Sequence, residues 1–203
     1  MKLSHILIKV NDLDSAVKQW QDKGFTVEYG SAKNPYNALI YFKKGAYIEL
    51  FKFNGLPKLL KPILRLFGKG KLVDKMNYWQ NHPEGFLSVM LENYEDNLDN
   101  EIAILKKHGI KGMMLNKSRI DTQGRKLNFK VLFTYNQTLP DIMTYFNIDP
   151  KPKTDDIHPN GIKGIKSISI GINPNHHQLL QDLCDDPTLT PFTGTGIKDI
   201  IFY

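Results

Sequence analysis

The chain has 203 residues, 41% hydrophobic and 24% charged, with a formal net charge of +6. That length can bury a real core as one large domain or two small ones, and no apolar run approaches the roughly 20 residues that span a bilayer. Cys184 is the single cysteine, which excludes an intrachain disulfide and a cysteine-built zinc site and fits a reducing cytoplasm; the dispersed lysines, without clustered arginine and aromatic residues, argue against nucleic acid as a partner.

The opening MKLSHILIKV reads as a strand, not a secretion signal, because His5 and Lys9 interrupt its apolar positions. Ile6, Ile8 and Val10 share one face of this strand, with Leu3, His5, Leu7 and Lys9 on the other. NDLDSAVKQWQDKGF follows as a helix, capped by Asp12 or Asp14, striped by Leu13, Val17 and Trp20, and ended by Gly24. Residues 25–29 read as a strand, and 37–42 and 47–53 as a hairpin around Lys43-Lys44-Gly45. The order over residues 1–54 is therefore β-α-β-β-β.

Residues 55–84 interrupt that order. Leu59, Leu60, Ile63, Leu64 and Phe67 recur at helical spacing among Lys58, Lys61 and Arg65, and Pro62 is expected to kink or restart the helix. This basic amphipathic insertion is expected to cover the core or the mouth of a cavity, with contact to an anionic membrane surface as the weaker alternative. The β-α-β-β-β order then recurs over 85–148, and NLDNEIAILKKHGI echoes DLDSAVKQWQDKGF. A Pro-, Lys- and Asp-rich linker at 149–163 leads to a third start, GIKSISIGI, a helix from NPNHHQLLQDLCDD and a strand-like end, so 164–203 reads as a partial third unit. His176 and His177 are adjacent at a helix start and point apart, which suits solvation better than metal binding. There is no GxGxxG, P-loop, GxSxG or HExxH pattern.

The segments LSHILIKVNDLDSAVKQWQDKGFTVEYG, NALIYFKKGAYIELF and HPNGIKGIKSISI resemble the glyoxalase-like domain family of the vicinal-oxygen-chelate superfamily, which includes glyoxalase I and extradiol dioxygenases. The resemblance implies an α+β fold: paired βαβββ modules form a curved mixed sheet around a central cleft, with a partial third module. It implies metal ligands from the first and last strands of each module, which here are His5 and Glu49. The matching second-module positions are Phe86 or Ser88, and Met143 or Thr144, so the usual four-ligand site is at most half present. His5 and Glu49 can serve as ligands, as an acid–base pair or as a residual polar pair. Asn37, Tyr47, His158 and Asn160 are the candidate substrate contacts, with His158 able to complete the ligand set if its loop folds back over the cavity.

Two functions follow from the resemblance. One is a metal-dependent lyase, isomerase or dioxygenase acting on a small oxygen-bearing metabolite, with Mn, Fe, Ni or Zn as cofactor. The alternative is a metal-free protein that binds and sequesters a small molecule in the same cavity, without turnover. In either case the expected partner is a small ligand, with pairing into a homodimer left open.

Overall fold

The computed structural model of the chain describes residues 1–154 and 157–203; two residues of the expected linker, Asp155 and Asp156, therefore lie outside the described residues. The first run of elements is β1 (Lys2–Lys9), α1 (Leu13–Asp22), β2 (Glu28–Tyr29), β3 (Asn37–Ile40) and β4 (Tyr47–Phe51). The Asp12 carboxylate caps α1 by accepting from the Ser15 amide at 2.7 Å. Gly24 ends it at φ +78, a conformation that side chains with a Cβ rarely adopt.

The insertion forms two helices, α2 (Leu60–Leu66) and α3 (Gly70–Asn81). The second run is β5 (Gly85–Asn93), α4 (Asp99–Lys107), β6 (Gly112–Ile120), β7 (Lys126–Thr134) and β8 (Asp141–Thr144). The eight strands form one mixed sheet in the order β2-β3-β4-β1-β5-β8-β7-β6. The two runs meet antiparallel at β1 and β5, and in each run the last strand pairs parallel with the first.

The two faces of this curled sheet are sorted by alternation. Ile6, Ile8, Ile48, Leu50, Leu91 and Ile142 pack with the helices α1 and α4. Leu7, Met90, Val131 and Met143 face the other way and pack with Leu72, Met76 and Trp79 of α3. This second helix of the insertion is thus the one that covers the concave face.

Two buried lysines hold α3 in place. Lys75, 1% exposed, pairs with the Asp141 carboxylate of β8 and donates to the Thr134 carbonyl at 3.1 Å. Lys9 donates to the Gln80 carbonyl at 2.7 Å and to the His82 carbonyl, placing a cation where the helix dipole is negative.

Two expectations are corrected. Pro62 neither kinks nor restarts α2: it lies in the first turn, where its missing N–H is not required by the helix. The apolar stripe of α2 is not folded onto the core, since Leu59, Ile63, Leu66 and Phe67 are all exposed. The third unit is a partial module, one strand short of β-α-β-β-β: β9 (Ile165–Ile172), α5 (His177–Leu183), β10 (Leu189–Thr193) and β11 (Ile197–Phe202), with its strands in a separate sheet ordered β10-β9-β11. Its Ile168, Ile172, Leu179 and Leu183 belong to the same core as α1 and α4. Among the described residues, no helix is long and apolar enough to cross a membrane.

Candidate functional site

The concave face and α3 enclose a cavity of about 490 Å³. Most of its wall is apolar: Leu7, Phe51, Phe53, Leu72, Met76, Trp79, Phe129, Phe133 and Phe146 contribute. Polar groups gather at His5, Asn37, Glu49 and Arg119, with Lys52 and Lys117 also on the lining.

His5 of β1 and Glu49 of β4 come together because their strands are parallel neighbours, with His5 level with Tyr47 and Glu49 level with Leu7. His5 Nε2 lies 3.3 Å from Glu49 Oε2. Asn37 of β3 donates from Nδ2 to Glu49 Oε1 at 2.9 Å. Room for the Asn37 side chain exists because residue 30 is glycine: a Cβ there would sit 1.9 Å from Asn37 Oδ1. Tyr47 stacks on the His5 ring, with centroids 4.6 Å apart and planes 24° from parallel.

The other side of the imidazole is also held. A bulge in the β1–β5 pairing between Leu3 and His5 interrupts strict alternation and brings Ser4 beside His5. Ser4 Oγ lies 3.0 Å from His5 Nδ1 and donates to Glu92 Oε2 at 2.5 Å. With the hydroxyl proton directed to Glu92, the oxygen accepts from Nδ1–H, and the Nε2 lone pair accepts from Glu49 when that carboxyl is protonated. The chain Glu92–Ser4–His5–Glu49–Asn37 thus orients the ring from both sides.

Burial pushes both members of the central pair toward their neutral forms. Desolvation, aided by the positive charges of Lys151 and Arg119, brings the His5 imidazole down to about 3. Desolvation raises the Glu49 carboxyl, opposed by the Asn37 hydrogen bond and by Arg119. Glu92 is raised for the same first reason, against the Ser4 hydrogen bond.

Arg119 carries the cation at the polar end. It donates to the Gly30 carbonyl at 2.6 Å and to the Tyr41 hydroxyl at 2.7 Å. Burial raises the Tyr41 phenol, and it raises the Tyr47 phenol as well.

Of the candidate residues, His5, Asn37, Tyr47 and Glu49 lie together on this cavity. His158 and Asn160 do not, which corrects the expectation that their loop covers it. His158 is wedged between Phe25 and Phe42, at ring distances of 5.2 and 5.0 Å, and accepts from the Thr26 amide at 3.0 Å. Asn160 donates from its side chain to the Lys23 carbonyl at 2.9 Å and packs against Gly24, so this loop locks the end of α1 instead. Ser4, Glu92 and Arg119 were not singled out from the sequence. Arg119 was within reach, since Leu115, Lys117 and Arg119 share one face of a strand; Ser4 was not, because its placement depends on the bulge.

The strand register also identifies what faces the pair. Glu49 is level with Leu7, two residues beyond His5; Met143 is level with Glu92, two residues beyond Met90. Met90 and Met143 therefore stand in β5 and β8 where His5 and Glu49 stand in β1 and β4, and both line the cavity. Met90 takes the place expected for Phe86 or Ser88. Among the described residues, no three His, Cys, Asp or Glu side chains are grouped so as to hold a metal ion. Two hard or borderline donors opposite two thioethers do not fit a tightly held divalent metal.

A model of the glyoxalase-like domain matches residues 3–184. No curated protein matches the sequence. The fold is similar to a crystal structure of a hypothetical protein from Staphylococcus aureus, with a TM-score of 0.61, 13% identity, and coverage of 97% of this chain and 88% of that one. It is also similar to the Mn(II)-bound glyoxalase from Novosphingobium aromaticivorans, with a TM-score of 0.52 and 11% identity, over 99% of this chain but 64% of that one. The match over most of its length and the paired β-α-β-β-β topology make this chain a member of the glyoxalase-like domain family, within the vicinal-oxygen-chelate superfamily.

Proposed function

We propose that the protein binds a small, mainly apolar or aromatic molecule in the α3-covered cavity and holds one oxygen-bearing head group at the His5–Glu49 end. The observation that carries this reading is the composition of the cavity: aromatic and aliphatic walls, with one polar end where, among the described residues, His5 and Glu49 are the metal-type donors. Such a site takes its affinity from apolar contact and its orientation from a few fixed polar groups. Arg119 and the Asn37 amide suit a carbonyl, enolate or carboxylate oxygen. His5, held neutral, offers Nε2 as a hydrogen-bond acceptor to an acidic hydroxyl, and a protonated Glu49 donates to a carbonyl, so the pair binds and orients an oxygen without taking its proton.

The competing reading is a metal-dependent lyase, isomerase or dioxygenase. One observation favours it: a neutral histidine whose Nδ1–H is fixed by Ser4 and Glu92 presents the lone pair that a metal ligand uses. It requires donors beyond His5 and Glu49. Metal content of untagged protein, compared with a His5→Ala/Glu49→Ala variant after exposure to Mn, Fe, Ni and Zn, separates the two. The binding reading expects no site-dependent metal. Near-stoichiometric metal in the wild type that the variant loses would overturn it in favour of the metalloenzyme.

A further inference from the structure

The insertion carries an apolar stripe that is exposed among the described residues. Leu59, Pro62, Ile63, Leu66 and Phe67 recur at the spacing of one helix face and are all exposed, Leu66 by 84% and Phe67 by 73%. None of them lines the cavity. The opposite side of α2 makes the attachment: Lys61 donates to Asn77 Oδ1 at 2.7 Å and to Gln80 Oε1 at 3.1 Å on α3. Single exposed leucines are ordinary, but a continuous stripe of large apolar side chains on one short element marks a contact surface.

Charge indicates which contact. Residues 55–73 hold Lys58, Lys61, Arg65, Lys69 and Lys71 and no acidic residue. Lys58 and Lys71 are exposed, and Arg65 is paired to Asp74 on the neighbouring helix. Apolar side chains that project outward beside exposed cations are complementary to an anionic bilayer surface, where hydrocarbon takes the former and phosphate headgroups the latter.

We propose that α2 docks the protein on an anionic lipid surface, with Leu59, Ile63, Leu66 and Phe67 entering the headgroup–acyl boundary and Lys58 and Lys71 contacting lipid phosphates. α2 packs against α3, and the cavity lining includes Leu72 of α3 and Leu56, which precedes α2. The proposal does not depend on what the cavity takes.

The test is co-sedimentation of the full chain with vesicles of phosphatidylcholine alone and of phosphatidylcholine with phosphatidylglycerol, at low and high salt. Binding is expected to the mixed vesicles and to weaken with salt. Leu66→Asp/Phe67→Asp should lower it by about tenfold or more, and Lys58→Glu by about fivefold or more. Both positions of the double variant are exposed, so an unchanged circular dichroism spectrum and melting temperature serve as its folding control. No binding to the mixed vesicles, or equal binding by the double variant, would overturn the proposal. So would a wild-type dimer in light scattering that the double variant converts to monomer, because the stripe would then be an interface between two copies.

Discussion

Ser4 does more than its size suggests. Its hydroxyl joins a buried histidine to a buried glutamate, and it fixes which imidazole nitrogen faces Glu49. Ser4→Ala leaves Glu92 Oε2 and His5 Nδ1 without this partner and is expected to cost about 1–3 kcal/mol in denaturant unfolding. In the same variant, nitrogen NMR of the ring should show loss of the single Nδ1–H tautomer. An unchanged tautomer would mean that Tyr47 stacking alone orients His5. The His5 pKa has a consequence for stability as well. The folded imidazole is brought down to about 3 from an ordinary 6.5. Between those values the unfolded chain binds one more proton than the folded chain at this site. Stability from this group is therefore complete above about pH 6.5 and falls toward pH 3, by at most about 1.4 kcal/mol per pH unit. Glu49, raised when folded, works in the other direction: its contribution is present at acid pH and lost as pH rises through its folded value. Chemical denaturation between pH 4 and 7 should show a shallower acid loss for His5→Gln than for the wild type. Identical slopes would contradict a neutral buried His5.

The elements that carry the site differ in how readable they were. β1, α1, β3 and β4 were legible because period-two and period-3.6 patterns there coincide with a cap at Asp12 and a stop at Gly24. The insertion was not. The strongest apolar periodicity in it belongs to α2, which is exposed, whereas α3 is covered by residues of mixed character. Its Lys75 looks like a surface residue in sequence and is buried only because Asp141 and the Thr134 carbonyl lie opposite it, a pairing across 66 residues that no local pattern announces. Lys75→Met alone leaves the Asp141 carboxylate buried and uncompensated, and is expected to destabilise the protein by about 3–5 kcal/mol. Lys75→Met/Asp141→Leu should recover much of that loss. If the single variant is as stable as the wild type, α3 is held by apolar contact alone. The site residues follow the same rule: His5, Glu49, Asn37 and Tyr47 lie on strands whose faces can be read, while Ser4 needed the bulge and His158 needed the tertiary path of its loop.

At the scale of the whole molecule, two β-α-β-β-β runs meet at β1 and β5 and would bring two equivalent pairs of side chains to one cavity. One pair is His5 and Glu49; the other is Met90 and Met143. This asymmetry is the basis for reading the cavity as a binding site with one polar end. It also gives a constructive test: Met90→His/Met143→Glu completes a four-donor set, and this variant should bind Mn or Ni with a raised melting temperature in the presence of metal. Failure to gain metal affinity would mean that the two halves are not superposable at the side-chain level. The three-stranded sheet, with α5, adds to the core behind α1 and α4, and among the described residues it supplies none to the cavity lining.

The central claim, a cavity that takes a small apolar molecule with its oxygen at His5, is tested most directly by native mass spectrometry of untagged protein incubated with a panel of small aromatic carboxylates, enols and ketones. Wild type and Phe133→Asp/Met143→Asp would be measured side by side, with circular dichroism as the folding control. The account expects one-to-one adducts of panel members with the wild type, lost on placing charge in the apolar wall and weakened by His5→Ala. Absence of any adduct, or adducts that persist in the charged variant, would contradict it.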